Sequence, residues 1–450
     1  MAKAGAQAEG VDEKKRLPAG QVVAVAVGNA LQFYDFLTYA FFASQIGLAF
    51  FPSRDPSASL LASLATFGAG FLTRPVGAVV IGRIADRIGR KPAMILSFSL
   101  MGASIVGLAL TPPFAMIGLA APALAIGFRL LQGFALGGEV GPSTAFLIEA
   151  SPPSRRGFYV SLQSMTQDGA VLVAGLVGFG LSSVMTEGAL EAWGWRAAFL
   201  LGAVIVPFGL LLRSRLAETL HEGAAVESDA RGDRFLAYAR IAIVGFVLLG
   251  SGTIVSYVLT YLTTYAETTL KMATSVAFTA TIVQGLVGVL FDAPGGWLSD
   301  RFGRRSVMII PWALLLCATL PCFWAISHFR TESALIWATA LLTVFSSISG
   351  SSVLVAITES LPRSVRAGAL GTIYALAISA LGGSTQFIIA DLIRVTRSPL
   401  APAWYMAAAV AVGIAAMFFI GETAPARPAK KRTDTVRPTP PPLRRSPSQS

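Results

Sequence analysis

The chain has 450 residues, of which 54% are hydrophobic and only 13% charged, with a formal net charge of +11. Soluble domains carry about a quarter of their residues as charges, so a chain dissolved in water over most of its surface is excluded. The excess positive charge is sorted between alternate loops rather than gathered on one face, which argues against nucleic acid as a partner.

Lys14, Lys15 and Arg16 precede an apolar run from Gln21 to Phe51. It is longer than the apolar stretch of a signal peptide, and no small-residue cleavage site closes it, so it is the first predicted span. Runs long and apolar enough to cross a bilayer follow at 58–82, 92–111, 115–150, 157–182, 195–212, 238–265, 272–299, 306–326, 333–361, 367–391 and 402–421. The fourth and tenth are long, which predicts tilting or protruding ends. Cys317 and Cys322 share one apolar run and read as inert packing residues, and no metal-spaced cluster is present. The fold class is therefore an all-α membrane protein of twelve transmembrane helices. Its expected parts are an N-terminus (1–20), a six-helix bundle (21–213), a central loop (214–237), a second bundle (238–422) and a disordered tail (423–450) rich in Pro, Arg and Ser.

The loops on one side of this alternation hold 27 of the 35 Lys and Arg residues, and those on the other hold 6. By the positive-inside rule the basic side is cytoplasmic, and both termini lie there. Only an even number of spans preserves the alternation. The expected location is a bacterial inner membrane, with the lipid bilayer as partner and the chain a monomer.

An internal repeat orders the spans. Gly82–Lys91 reads GRIADRIGRK and Gly296–Arg305 reads GWLSDRFGRR; Glu149–Gly157 reads EASPPSRRG and Glu359–Gly368 reads ESLPRSVRAG. Each pair falls on corresponding basic loops, so the halves are two six-helix units of the same orientation. Parallel repeats place a solute site near mid-membrane between the halves. In the repeated loops Asp86 and Asp300 can accept bonds from a neighbouring helix end. Arg87, Arg90, Arg301 and Arg304 can reach Glu149 and Glu359. Together these eight form an expected cytoplasmic gate, against the plainer reading of topology and loop rigidity.

Ionisable residues inside spans each cost roughly 2.5–3.5 kcal/mol at mid-helix on insertion scales. They are Asp35, Arg74, Arg129, Glu139, Asp168 and Asp292. Asp35 shares a helix face with Gly28, Gln32 and Tyr39. Arg129 stands on a ridge with Gly133, Gly137 and Gly141, which lets another helix approach closely. Arg74 precedes Pro75 and can bind a carboxylate through two parallel hydrogen bonds or pair with an internal acid. Gln163, Gln167, Tyr257, Thr260 and Gln284 offer neutral groups for substrate oxygens, or for helix packing. Asp292, near Asp300, reads as part of the gate region. No nucleophile with its base, metal cluster or phosphate loop is found, so an enzyme is not expected.

The repeated G-x-x-x-D-R-x-G-[RK]-[RK] loop resembles that of the major facilitator superfamily. FYDF at 33–36, FGAGFLTRPVGA at 67–78, RLLQGFALGGE at 129–139, GFYVSLQS at 157–164 and WGWRAAF at 193–199 resemble its metabolite:proton symporter branch, most of all the citrate and tricarballylate carriers. The resemblance implies import of a small tri- or dicarboxylate by alternating access, with the proton as coupling ion and no cofactor. It also implies that Asp35 and Arg129 form the proton-coupling pair. The residues themselves leave Glu139 and Asp168 as rival carriers, and Arg74, Arg129, Gln32 and Tyr39 as candidates for binding substrate. Arginine nearby holds a carboxylate ionised, and its withdrawal favours proton uptake. The branch also carries 2-oxoglutarate, shikimate, proline and betaine. An efflux antiporter is disfavoured, because GGEVGP lies in the fourth span rather than an exporter pattern in the fifth, and a receptor would carry a larger soluble domain.

Overall fold

The computed structural model describes residues 30, 33–88, 90–137, 144, 147–148, 151–214, 232–361 and 366–424. Among the described residues, twelve helices follow the predicted spans. The first, α1, covers 33–50, interrupted at Phe42; α2 is Pro56–Leu72 continued by Arg74–Arg87; α3 is Arg90–Leu110; α4 is Ala120–Leu136. Then come α5 Arg156–Val184, α6 Trp195–Ser214, α7 Gly232–Thr268, α8 Thr274–Phe302, α9 Arg304–Phe329 and α10 Glu332–Ser360. In α11, Arg366–Ala377 joins Gly383–Thr396 through a π turn, and α12 is Ala401–Met417.

The usual inside–outside sorting of side chains is relaxed in the way a bilayer requires. Leu72, Val184 and Trp337 are 67%, 87% and 75% exposed, while Arg129, Arg304 and Ser349 are wholly buried. Lipid accepts the apolar exterior, and polar groups retreat to where they find partners. One apolar core lies mainly in each half; Tyr257, Phe278 and Ile378 of the second half are built into the core of the first, at the seam.

Two sequence expectations need correction. The fourth span does not run continuously from 115: Phe114–Ile117 is a separate turn ended by Gly118 at φ +58, a left-handed conformation natural to glycine, and α4 starts after it. The central loop is shorter than 214–237, because α7 already begins at Gly232. The tail from 425 and the N-terminus lie outside the described residues.

The repeated loop motif has a visible conformational cause in its second copy. Gly303, between α8 and α9, has φ +101, which side chains rarely tolerate. It reverses the chain in one residue, so Arg304 begins α9 directly. Glu422, just beyond α12, then accepts from the Arg304 N–H at 2.8 Å and the Arg305 N–H at 3.0 Å, capping α9. Partial burial pulls the Glu422 carboxyl upward, but these N–H groups, that of Ala424 and the Arg304 guanidinium outweigh it and hold it below the ordinary glutamate range.

Candidate functional site at the seam of the two bundles

Proline shapes the first wall of the site. Pro75 has no N–H, so the Phe71 carbonyl of α2 loses its helical donor. Ser379 Oγ of α11 donates to it at 2.8 Å, tying the halves together at the break. Thr73 Oγ1 donates to the Leu130 carbonyl of α4 at 2.6 Å. Arg74, the first residue after the break, is thereby fixed at the seam.

Arg74 and Arg129 are both buried. Their guanidinium groups lie over aromatic faces, and neither forms an ion pair among the described residues. The Arg74 Cζ is 4.5 Å from the Phe36 ring centre and 4.3 Å from that of Phe71. The Arg129 Cζ is 4.4 Å from Phe36, 4.5 Å from Tyr39 and 5.0 Å from Phe67. Desolvated contacts of this kind are worth about 2 kcal/mol each, enough to offset part of the burial cost. Tyr257 of α7 closes the aromatic wall from the other half, with ring centres 5.9 Å from Phe67 and 5.6 Å from Phe71. Tyr257 and Tyr374 lie within electrostatic reach of Arg74.

Asp35 is 1% exposed and does not touch Arg129 directly. Gln132 stands between them: its Nε2 donates to Asp35 Oδ2, and its Oε1 accepts from Arg129 Nη1. The amide thus presents its donor to the anion and its acceptor to the cation, relaying one charge to the other. Asp35 Oδ1, Arg129 Nε and Arg74 Nε have no hydrogen-bond partner among the described residues. Sequence reading did not single out Gln132, although its place three residues after Arg129 puts both on one face.

The other predicted residues divide. Tyr39 joins the aromatic wall. Gln163 Oε1 accepts from Thr144 Oγ1 of the fourth span at 2.8 Å, within the first bundle. Gln167 is half-buried on α5, and Gln284 is buried on α8. Thr260 Oγ1 donates to the Ser256 carbonyl of its own helix at 2.9 Å, which leaves its oxygen as an acceptor. Asp168 sits away from the Asp35 relay, against α8. Asp292 faces it there, which corrects its assignment to the gate region. Gln32, Glu139 and Glu149 lie outside the described residues, as do the side chains of Asp86, Arg87 and Arg90.

The basic face is closed by a second network. Asp300 accepts from the N–H groups of Gly157 and Phe158, each at 2.9 Å, at the first turn of α5. Arg304 Nη1 pairs with Asp300 at 2.6 Å and Arg304 Nε with Glu359 at 3.4 Å; Arg156 Nη1 crosses the halves to Glu359 at 3.4 Å. Arg301 is corrected out of this network. One position beyond Asp300, it points about 100° away around α8 and lies exposed over Trp297 and Phe302. Arg156 takes the place expected of it. At the opposite face Gln45 Nε2 of α1 donates to Glu267 Oε1 of α7 at 2.7 Å, and Phe42 packs on Phe278 at 5.2 Å. With both faces bridged, the central arginines are enclosed.

Residues 21–231 match the Sugar (and other) transporter family, and 241–448 the Major Facilitator Superfamily. A citrate-proton symporter of Klebsiella pneumoniae is 35% identical over 409 residues, covering 89% of this chain and 91% of that protein. The chain belongs to the major facilitator superfamily. Other relatives of this facilitator are an alpha-ketoglutarate permease of Escherichia coli K12, 34% identical over 85% of this chain and 88% of that one, and a proline/betaine transporter of the same strain, 30% identical over 92% and 85%. Its fold matches a crystal structure of a D-xylose-proton symporter with a TM-score of 0.75 at 17% identity, covering 90% of this chain and 98% of that one.

Proposed function

We propose that this facilitator is a proton symporter that imports a small organic di- or tricarboxylate, such as citrate, across a bacterial inner membrane by alternating access. The observation that carries this reading is the pair of buried arginines at the seam, Arg74 and Arg129, the second of which is linked through Gln132 to the buried Asp35. A carboxylate entering between the halves meets two guanidinium groups, and charge-assisted bonds from arginine suit its geometry. Asp35 takes up a proton as the substrate engages Arg129, so cargo and proton load together. The basic face is the cytoplasmic one, and Asp300, Arg304, Arg156 and Glu359 form the gate that must part there to release both. Relatives named for citrate–proton symport and alpha-ketoglutarate transport support an acidic cargo.

A zwitterionic cargo such as betaine is favoured less. The aromatic faces that would hold its quaternary ammonium already carry the two guanidinium groups. The test is uptake into proteoliposomes with internal pH recorded, comparing citrate, tricarballylate, 2-oxoglutarate, shikimate and betaine. The expected result is proton entry with the di- or tricarboxylates. Uptake of betaine alone, or carboxylate uptake without proton movement, contradicts the proposal.

A further inference from the structure

Helices α5 and α8 run antiparallel, one from each half, with backbones close along their length. The space a Cβ would take on Gly296 is met by Gly157, on Gly285 by Leu172, and on Gly175 by Ile282. Within this contact the Asp168 carboxyl of α5 fills the space beside Gly288 of α8, with Asp168 Cβ 2.6 Å from where a Gly288 Cβ would stand. Gly288 and Asp292 are four residues apart and share a helix face, which brings the two carboxyls within hydrogen-bonding reach. Ser347 of α10 lies beside Asp292. Asp292 is 2% exposed, yet its Oδ2 has no N–H or O–H partner among the described residues.

The cations nearest along these helices are committed elsewhere. Arg156 on α5 binds Glu359, the acid that ends α10, and Arg304 at the start of α9 binds Asp300 and Glu359. No described arginine or lysine bridges Asp168 to Asp292; Glu139 of the fourth span lies outside the described residues. Two carboxylates in contact away from water cannot both stay ionised, and one proton held between them turns repulsion into a hydrogen bond.

We propose that Asp168 and Asp292 share one proton across the seam, forming a second proton-binding site distinct from Asp35. The proton, on one carboxyl, is donated to the other, fastening α5 to α8 while the faces are closed. When α5 and α8 part, the proton leaves to water on the open side, and both acids are left ionised and apart. The transport of that proton rests on the symport reading above; its presence between the two acids does not.

The test uses the full-length protein in lipid vesicles. Infrared difference spectra over a pH series report protonated carboxylic acids by their carbonyl stretch. The wild type should show a band that survives Asp35→Asn and disappears in both Asp168→Asn and Asp292→Asn, because an asparagine amide can donate to the remaining carboxylate in place of the proton. In citrate-loaded flux assays Asp292→Asn should still transport, with one proton fewer per substrate. A band that persists in both seam variants, or a wild type whose only such band is lost with Asp35→Asn, overturns the proposal. So does a wild-type proton-to-citrate ratio above zero that Asp292→Asn leaves unchanged, or a band removed by sodium at fixed pH, which would assign the pair to a metal ion. If the wild type moves no protons with any acid while the band behaves as expected, the symport reading fails and the shared proton stands.

Discussion

The central and basic-face networks both bury acids beside arginines, but they treat their carboxylates differently. At the basic face Asp300 accepts from Gly157, Phe158 and Arg304, and Glu359 accepts from Arg156, Arg304 and Thr423. In the centre Asp35 accepts from Gln132 alone, and its second oxygen has no partner among the described residues. Three donors pin each basic-face carboxylate in place, so it works as a fastening. A carboxylate held by a single donor exchanges its partner at less cost. The same chemistry thus serves as a clamp in one layer and as a switch in the other.

The largest expected effect comes from removing the central cation. Arg129→Gln loses a charged donor worth about 1.5–3 kcal/mol, so citrate affinity should fall by about 10- to 150-fold in a competition assay. Equal affinity would remove Arg129 from the site. Gln132→Leu keeps both charges but cuts the amide between them. Substrate exchange should persist while the number of protons moved per substrate falls, and a wild-type ratio would show that the relay is incidental.

Asp300→Asn weakens the clamp without touching the centre. A cysteine placed at Ser161, buried at the basic-face seam, should then react with maleimide several-fold faster than in the Asp300 background; an unchanged rate would contradict the gate. The smallest effect belongs to Glu422→Gln. Losing a charged cap costs about 1 kcal/mol, reduced by exposure. Because the Glu422 carboxyl is held below its ordinary range, its stabilisation is present above that range and fades as the pH falls through the depressed value. The wild type should therefore lose more thermal stability than Glu422→Gln as the pH is taken below the ordinary glutamate range; parallel pH curves would contradict this.

The twelve spans were legible because a bilayer demands long apolar runs, and the repeat declared the two halves. Asp35, Arg74 and Arg129 stood out because charges within such runs are costly. Gln132 did not, since a neutral amide in a span carries no such signal. Asp292 was misplaced because its partner, Asp168, lies on the other half of the chain, and helix spacing reports faces, not which helix packs opposite. Arg156 and Glu422 act through contacts of long sequence separation for the same reason. A break in α2 beside Pro75 was foreseeable; that Ser379 would satisfy the freed carbonyl was not.

The central claim is that protonation of Asp35 links cargo movement to the proton gradient, and Asp35→Asn tests it most directly. In proteoliposomes this variant should exchange labelled citrate across the membrane yet fail to accumulate it under an inward proton gradient. Accumulation at the wild-type level would contradict the account.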